Sequence, residues 1–147
     1  MGQQQLLLLV LATVIVGIAT VVGIQAFDQN SAKANADAML NDAVRIASDI
    51  QAWGKKAEPF GGPGDGETFA DATFAQIGYG TGLTYTNTNG TYTIAASAPG
   101  VTITGDGANE EGNQIVVSVC GLGEADVEGA ITNLNGNGGD DAPACAE

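Results

Sequence analysis

The sequence contains no histidine and few basic residues, and these absences exclude several kinds of site. Its 147 residues include 4 lysines and arginines against 17 acidic residues, a formal net charge of −13 at pH 7. Because nucleic-acid binding depends on basic side chains that neutralise phosphates, this charge argues against a nucleic-acid partner. Without histidine, Ser–His and Cys–His nucleophile pairs and His-ligated zinc are impossible. The 2 cysteines are too few for a closed structural zinc site or an iron–sulfur cluster.

Charged residues are distributed unevenly and divide the chain into three zones. Residues 1–27 carry no charged side chain, residues 28–56 carry four acids and all four bases, and residues 57–147 carry thirteen acids and no base. We call these the apolar, balanced and acidic zones. Their order has to be explained by any account of function.

The apolar zone predicts a helix that crosses a membrane or lies in a wholly apolar core. From Leu6 to Ile24 only Thr13 and Thr20 have polar side chains, and a helix of this length covers about 28 Å, close to the hydrocarbon thickness of a bilayer. A cleaved secretory signal is the alternative, although the residues before the run include no Lys or Arg. Small residues four positions apart (Thr13 and Gly17, Ala19 and Gly23) suit close helix packing, but are also ordinary in membrane helices.

The balanced zone predicts an amphipathic helix that continues the apolar one. Apolar residues between Ala32 and Trp53 recur every three or four positions, as on one face of a helix. The stripe comprises Ala36, Met39, Leu40, Ala43, Ala47 and Ile50, widened by Val44, Ile46 and Trp53. Neither Gly nor Pro occurs between Gln25 and Ser31, and Gly54 supplies a stop. We therefore expect one helix of about fifty residues.

The acidic zone predicts a small β-rich head. Alternating apolar residues and threonines indicate about four antiparallel strands, near residues 83–86, 91–94, 101–104 and 115–119. Asn89-Gly90 predicts a type I′ hairpin turn between the first two. Residues 124–134 predict a short helix, and the tail from Asn135 is expected to be mobile. Because a thin sheet needs a cover, we expect an α+β fold in which the long N-terminal helix packs on the sheet.

Three other sequence features leave two interpretations each. Cys120 and Cys145 either form a disulfide or remain free thiols in a reducing compartment, and we expect the disulfide because a membrane-targeted chain delivers its head outside the cell. Asn89-Gly90-Thr91 is both an N-glycosylation sequon and the expected turn. The Asp- and Gly-rich loops are either solvated or Ca²⁺ ligands, and they do not match the twelve-residue calcium loop.

No constellation for catalysis is recognisable. Asp106 with Glu110 or Glu111 is an acidic pair in a glycine-rich loop, a pattern typical of solvated acids, and the glycine-rich segment at residues 61–66 lacks the lysine of a phosphate loop. We expect no enzymatic activity, cofactor or metal site.

An apolar N-terminal run that continues into an amphipathic helix, followed by a small β-rich head with a C-terminal pair of cysteines, resembles the type IV pilins and pseudopilins. The likeness in sequence lies in the N-terminal helix, and the likeness in architecture extends over the chain. In that family the helix holds the subunit in the membrane and later packs into the core of a filament. The opening Met1–Leu8 is also similar to that of small pilin-like bacterial proteins.

The resemblance implies a structural subunit that polymerises with copies of itself into an extracellular filament, with an inner-membrane pool before assembly and the pilus assembly machinery as a partner. The family's processing glycine corresponds to Gly2, and Gln3, Gln4 and Gln5 stand where the family commonly has a glutamate that contacts a neighbour. The residues assigned to filament-core packing are Leu6, Leu9, Thr13, Val16, Gly17, Ala19 and Gly23. The alternative function is a membrane-anchored envelope protein or minor pseudopilin that binds a partner through its head.

Overall fold

The computed structural model describes residues 2–64, 69, 71–97, 100–108 and 112–145. Its first element is a single α-helix, α1 (Gly2–Gly54), which confirms the expected continuous helix and its end at Gly54. The chain separates into two compact units, Met1–Ser31 and Ala32–Glu147, so the two parts of α1 belong to different units.

The first unit consists of the apolar part of α1. Every described side chain from Gly2 to Ser31 is exposed, and the exposed fractions of the large apolar ones run from 51% at Val10 to 75% at Phe27. The two threonine hydroxyls of the run bond to the helix's own backbone, at Val10 O and Val16 O. From Leu6 to Ile24 the helix therefore presents almost only apolar atoms. It is long and apolar enough to cross a membrane, and its position also suits a signal sequence.

In the second unit, the rest of α1 packs on the sheet through the expected stripe. The spacing of three and four residues brings nine residues to one buried face: Ala32, Ala36, Met39, Ala43, Ile46, Ala47, Ile50, Trp53 and Gly54. Leu40 is partly buried against this core and Val44 remains 42% exposed, so Val44 marks the edge of the stripe. The amphipathic pattern therefore identifies the sheet-facing side of the helix.

The sheet has six antiparallel strands in the order β1-β2-β3-β4-β5-β6, so each strand pairs with its neighbours in sequence. The strands are β1 (Thr84–Thr86), β2 (Gly90–Ser97), β3 (Gly100–Gly107), β4 (Gln114–Val119), β5 (Val127–Leu134) and β6 (Asn137–Gly138). Together with α1 they confirm the predicted α+β fold. The expectation of about four strands was too low, because β5 and β6 were not recognised.

The hydrophobic core lies between α1 and one face of the sheet. Buried residues of β2 and β3, such as Tyr92 and Ile103, alternate with more exposed threonines, whereas β4 is buried on both faces around Val117. The register places Ile103 opposite Ile94 on one side and opposite Val117 on the other, so bulky residues of adjacent strands share the helix-facing side. Phe69, Ala72 and Phe74, from the segment before β1, add to the same core.

The predicted short helix over residues 124–134 is wrong. A 3-10 turn at Glu124–Asp126 precedes β5, which pairs with β4 along its length apart from a shift near Gln114 and Ile115. Within β5, a Cβ on Gly129 would lie 3.0 Å from Leu40 Cδ1 and 3.1 Å from Val117 Cγ2. Because strand pairing satisfies the backbone and Gly129 allows this close packing, the sheet overrides the weak helical pattern.

The predicted hairpin is present, but its turn differs. Residues Asn87–Asn89 connect β1 to β2, and Gly90 is the first residue of β2. Neither Asn89 nor Gly90 has a positive φ, so the type I′ turn expected there is wrong. Asn87 N donates to Gly90 O, and Asn87 Oδ1 accepts from the backbone N–H groups of Asn89 and Gly90. The Asn87 side chain thus organises the loop.

Candidate functional site

The largest candidate surface is the apolar part of α1. At about 100° per residue, the seven residues assigned to filament packing fall within an arc of about 160°, and all of them are exposed. Cβ atoms added at Gly17 or Gly23 would meet nothing within 4 Å. No other part of the described chain packs on this surface near Gly17 and Gly23. Because these two residues have no side chain, the surface is indented at both positions.

The residues assigned to processing or subunit contact, Gly2 and Gln3 to Gln5, form the exposed first turn of α1. This turn contains no acidic side chain. The first backbone N–H groups of a helix have no partner within it, so the three amides lie beside unsatisfied donors. Such a terminus can accept hydrogen bonds from, or donate them to, a second molecule without burying a charge.

In the second unit, Asp42 joins α1 to the β1–β2 hairpin. Its Oδ2 accepts hydrogen bonds from Asn89 Nδ2 at 2.7 Å, Asn87 Nδ2 at 2.8 Å and the Tyr92 hydroxyl at 3.1 Å. Partial burial raises the pKa of Asp42, but the bonds from Asn89, Asn87 and Tyr92, with the charge of Arg45, outweigh it and leave the pKa below its usual value. The carboxylate is therefore held in its charged form.

Two turns further along α1, Asp49 makes a similar contact. Its Oδ2 accepts a hydrogen bond of 2.6 Å from the Tyr79 hydroxyl, and the Arg45 guanidinium lies 5.6 Å from the centre of the Tyr79 ring. Burial, followed by the hydrogen bond to Asp49, raises the pKa of Tyr79 to about 12. These groups hold an aromatic cluster that includes Tyr85 in place. The contacts of Asp49, Arg45 and Tyr79 therefore stabilise the fold of the head.

The sequon asparagine is part of the Asp42 network. Asn89 is half-buried, its Nδ2 donates to Asp42, and its carbonyl oxygen accepts from Asn35 Nδ2 at 3.1 Å. A glycan would be attached at that same Nδ2. In the folded chain this nitrogen is directed to a carboxylate, and the contact explains the asparagine without a sugar.

The two cysteines are brought together as expected. Cys120 and Cys145 form a disulfide with Cα atoms 5.2 Å apart. The tail leading to it, which the composition predicts to be mobile, bonds to the sheet: Gly139 N donates to Thr132 O, Asp140 N to Ile131 O, and Ser118 Oγ to Pro143 O. The tail thereby covers the outer side of β4, where Ser118 is 1% exposed.

Metal binding finds no support in the part of the chain that the structure describes. No group of three acidic or cysteine side chains there lies together to hold an ion. Asp106 Oδ1 instead accepts a hydrogen bond from Gln114 Nε2, while Glu110 and Glu111 lie outside the described residues. The predicted absence of a cofactor stays a prediction.

Sequence reasoning did not find the contacts that join α1 to the loops. Asp42 lies three residues before Arg45 on the helix, a spacing that suits an ion pair, whereas the hydrogen-bond partners of Asp42 are in the hairpin. Asn113, 2% exposed, donates to Ala32 O and Asn35 Oδ1 and accepts from Asn135 N. The asparagines in the turns are the one feature of the sequence that points to such contacts, but they do not indicate which residues bond to one another.

Comparisons of the chain with protein-family models, with curated proteins and with solved structures find no match. The assignment of function therefore depends on the surfaces described above.

Proposed function

We propose that this protein is a structural subunit that polymerises into an extracellular filament through the apolar part of α1. The observation that carries the proposal is that every large apolar side chain from Leu6 to Phe27 is exposed, from 51% at Val10 to 75% at Phe27. Fully burying one large apolar side chain gains about 1.5–3 kcal/mol, so leaving a run of them in water is strongly unfavourable. Their cover has to come from outside the chain.

Two apolar surroundings fit such a surface, and the segment occupies them one after the other. A bilayer covers the segment before assembly, because its length and composition suit a membrane span. Other copies of the same segment replace the lipid in the filament, where small residues such as Gly17, Ala19 and Gly23 let helices approach closely. The Gln3–Gln5 amides are then available to a neighbouring subunit.

The acidic zone fits the outer surface of such a filament. Its thirteen acids have no base among them, so the heads repel one another and remain solvated. This repulsion keeps filaments apart, and helix packing then supplies the attraction within each one. The disulfide supports the same location, because such bonds persist in oxidising compartments.

The test is electron microscopy of material sheared from cells that express the full chain, with mass spectrometry of its N-terminus. We expect long filaments that contain this chain. Gly17→Leu should abolish them while leaving the chain in the membrane fraction, because the larger side chain has no clash within its own chain. Val14→Leu, an apolar enlargement on the same helix, is the matched control and should leave filaments intact.

Recovery of the chain only as a membrane-bound monomer, with no filaments from wild type or Val14→Leu, would overturn the proposal. That result would favour a membrane-anchored envelope protein or minor pseudopilin that binds a partner through its head. Mass spectrometry also distinguishes processing at Gly2 from an intact N-terminus.

A further inference from the structure

Among the residues that the structure describes, part of β2 has no neighbour on the β1 side. β1 has three residues and pairs only with Thr91–Thr93, whereas β2 has eight. The last backbone bond on that side runs from Ile94 N to Leu83 O, at 2.9 Å. Beyond it, within the described residues, Ala95 and Ala96 pair with β3 alone.

The backbone of Ala96 is directed towards this open side. In an antiparallel ladder, alternate residues direct their N–H and C=O groups to the same neighbour. Since Ile94 N donates towards β1, the N–H and C=O of Ala96 point the same way. They form the start of an edge to which a further strand can be added.

A groove lies along this edge. It is open to solvent, has a volume of about 710 Å³, and is lined by Asp71, Ala72, Thr73, Gln76, Leu83, Ile94, Ala95 and Ala96. This volume is in the range of ligand-binding clefts. One side of the groove is the β2 edge and the other is the segment that precedes β1.

That segment is a fixed wall. Ala72 and Phe74 are buried in the core, at 1% and 0% exposure, and Phe74 N donates to Gly82 O. Thr73 N and its hydroxyl both donate to Gln76 Oε1. This held segment limits what can approach the β2 edge from that side.

We propose that this groove binds an extended segment of another protein, basic in composition, as an added strand beside β2. The backbone of Ala96 supplies the hydrogen bonds, and the small side chains of Ala95 and Ala96 leave space for the peptide. Asp71 on the rim, within a zone of thirteen acids and no base, selects a cationic partner. A head from a second copy is itself strongly acidic, because Ala32–Glu147 carries 16 of the 17 acidic residues against 4 basic ones, and it is repelled.

The experiment measures fluorescence anisotropy of a labelled peptide, acetyl-Lys-Val-Thr-Val-Lys-Val-amide, with the full chain kept unpolymerised in a mild non-ionic detergent. We expect saturable binding that weakens at least tenfold in Ala96→Pro, which removes the edge N–H, and several-fold in Asp71→Asn at low salt. Thr86→Pro, a proline in the neighbouring edge strand, is the matched control and should bind as wild type. The assay does not require filaments, so its result is independent of the proposed polymerisation.

A second set of measurements uses the wild-type protein and changes the peptide instead. N-methylation of alternate peptide nitrogens removes the donors that pair with β2 and should abolish binding, and replacement of both lysines by glutamates should do the same. Equal binding of the glutamate peptide, wild-type affinity in Ala96→Pro, or no saturable binding to wild type would each overturn the proposal. So would a change of oligomeric state in Ala96→Pro, which would mean that a second copy occupies the edge.

Discussion

The two parts of α1 have the same backbone conformation and similar apolar content, but different surroundings. From Gly2 to Ser31 every described side chain is exposed, whereas from Ala32 to Gly54 a stripe of nine residues is buried. The first part is apolar on all sides and the second on one side only. The distribution of apolar residues around a helix therefore indicates whether it is covered by the chain's own sheet or by something outside the chain.

Truncating one isoleucine in each part should give the largest contrast. Ile46 is 0% exposed and Ile18 is 62% exposed. We expect Ile46→Ala to lower the free energy of unfolding of the head by about 2–5 kcal/mol, because it leaves a cavity in the core. Ile18→Ala should leave it unchanged. Urea titration of the full chain in detergent, followed by the fluorescence of Trp53, measures both, since this is the only tryptophan.

Removing the disulfide should have the next largest effect, again confined to the head. We expect the double variant Cys120→Ser and Cys145→Ser to lose about 2–4 kcal/mol, as for a bridge that closes a loop of this size. Reduction of the wild-type chain with dithiothreitol should lower the urea midpoint to a similar extent. A midpoint that stays the same in both would show that the hydrogen bonds of the tail hold it without the bond.

Asp42→Asn should destabilise the head by about 1–3 kcal/mol, because the buried donors around it lose a charged acceptor. The folded pKa of Asp42 lies below that of the unfolded chain, whose usual value is 3.8. Its contribution is therefore fully present above that value and is lost as the pH falls through the folded pKa. The variant should show a smaller loss of stability on acidification below about pH 4.

Asp28→Asn, in the exposed part of α1, is the control for Asp42→Asn. It should leave the urea midpoint of the head unchanged, because Asp28 is exposed. An acid sensitivity that is the same in wild type and Asp42→Asn would exclude the network as its source.

The smallest effect is expected for Tyr79→Phe, which removes a single hydrogen bond to Asp49 at a half-buried site. We expect a loss of about 0.5–1.5 kcal/mol. Because the pKa of Tyr79 is raised to about 12, its contribution is present below the ordinary tyrosine pKa of 10.0 and is lost as the pH rises through about 12. Thr20→Val, which removes a hydroxyl bonded only to its own helix, should leave the head unchanged.

The Asn-Gly dipeptides show where local sequence is not sufficient. Asn89-Gly90 has the residues of a type I′ turn but not its conformation. Asn135 (φ 53°) and Gly136 (φ 74°), which were expected to lie in a mobile tail, connect β5 to β6 and both have the positive φ of such a turn. Gly90 lies where a Cβ would be 2.4 Å from Asp106 O. The close approach of β3 therefore determines the role of this glycine.

The apolar part of α1 could be predicted from the sequence, whereas the groove beside β2 could not. The exposed apolar segment follows from composition, because no head of this size has room to cover it. The groove beside β2 does not, since it requires that β1 stop after three residues and that Ala72 and Phe74 anchor a wall beside it. The partners of Asp42 likewise depend on how α1 and the hairpin come together.

By itself, the sequence determined the long helix, the side of it that faces the sheet and the presence of antiparallel strands. These follow from periodicity, which is local. Only the tertiary structure decided that residues 127–134 form a strand, that the tail is held against the sheet, and which asparagines meet Asp42. Those outcomes depend on contacts between residues far apart in the chain, where packing and hydrogen bonding outweigh local preference.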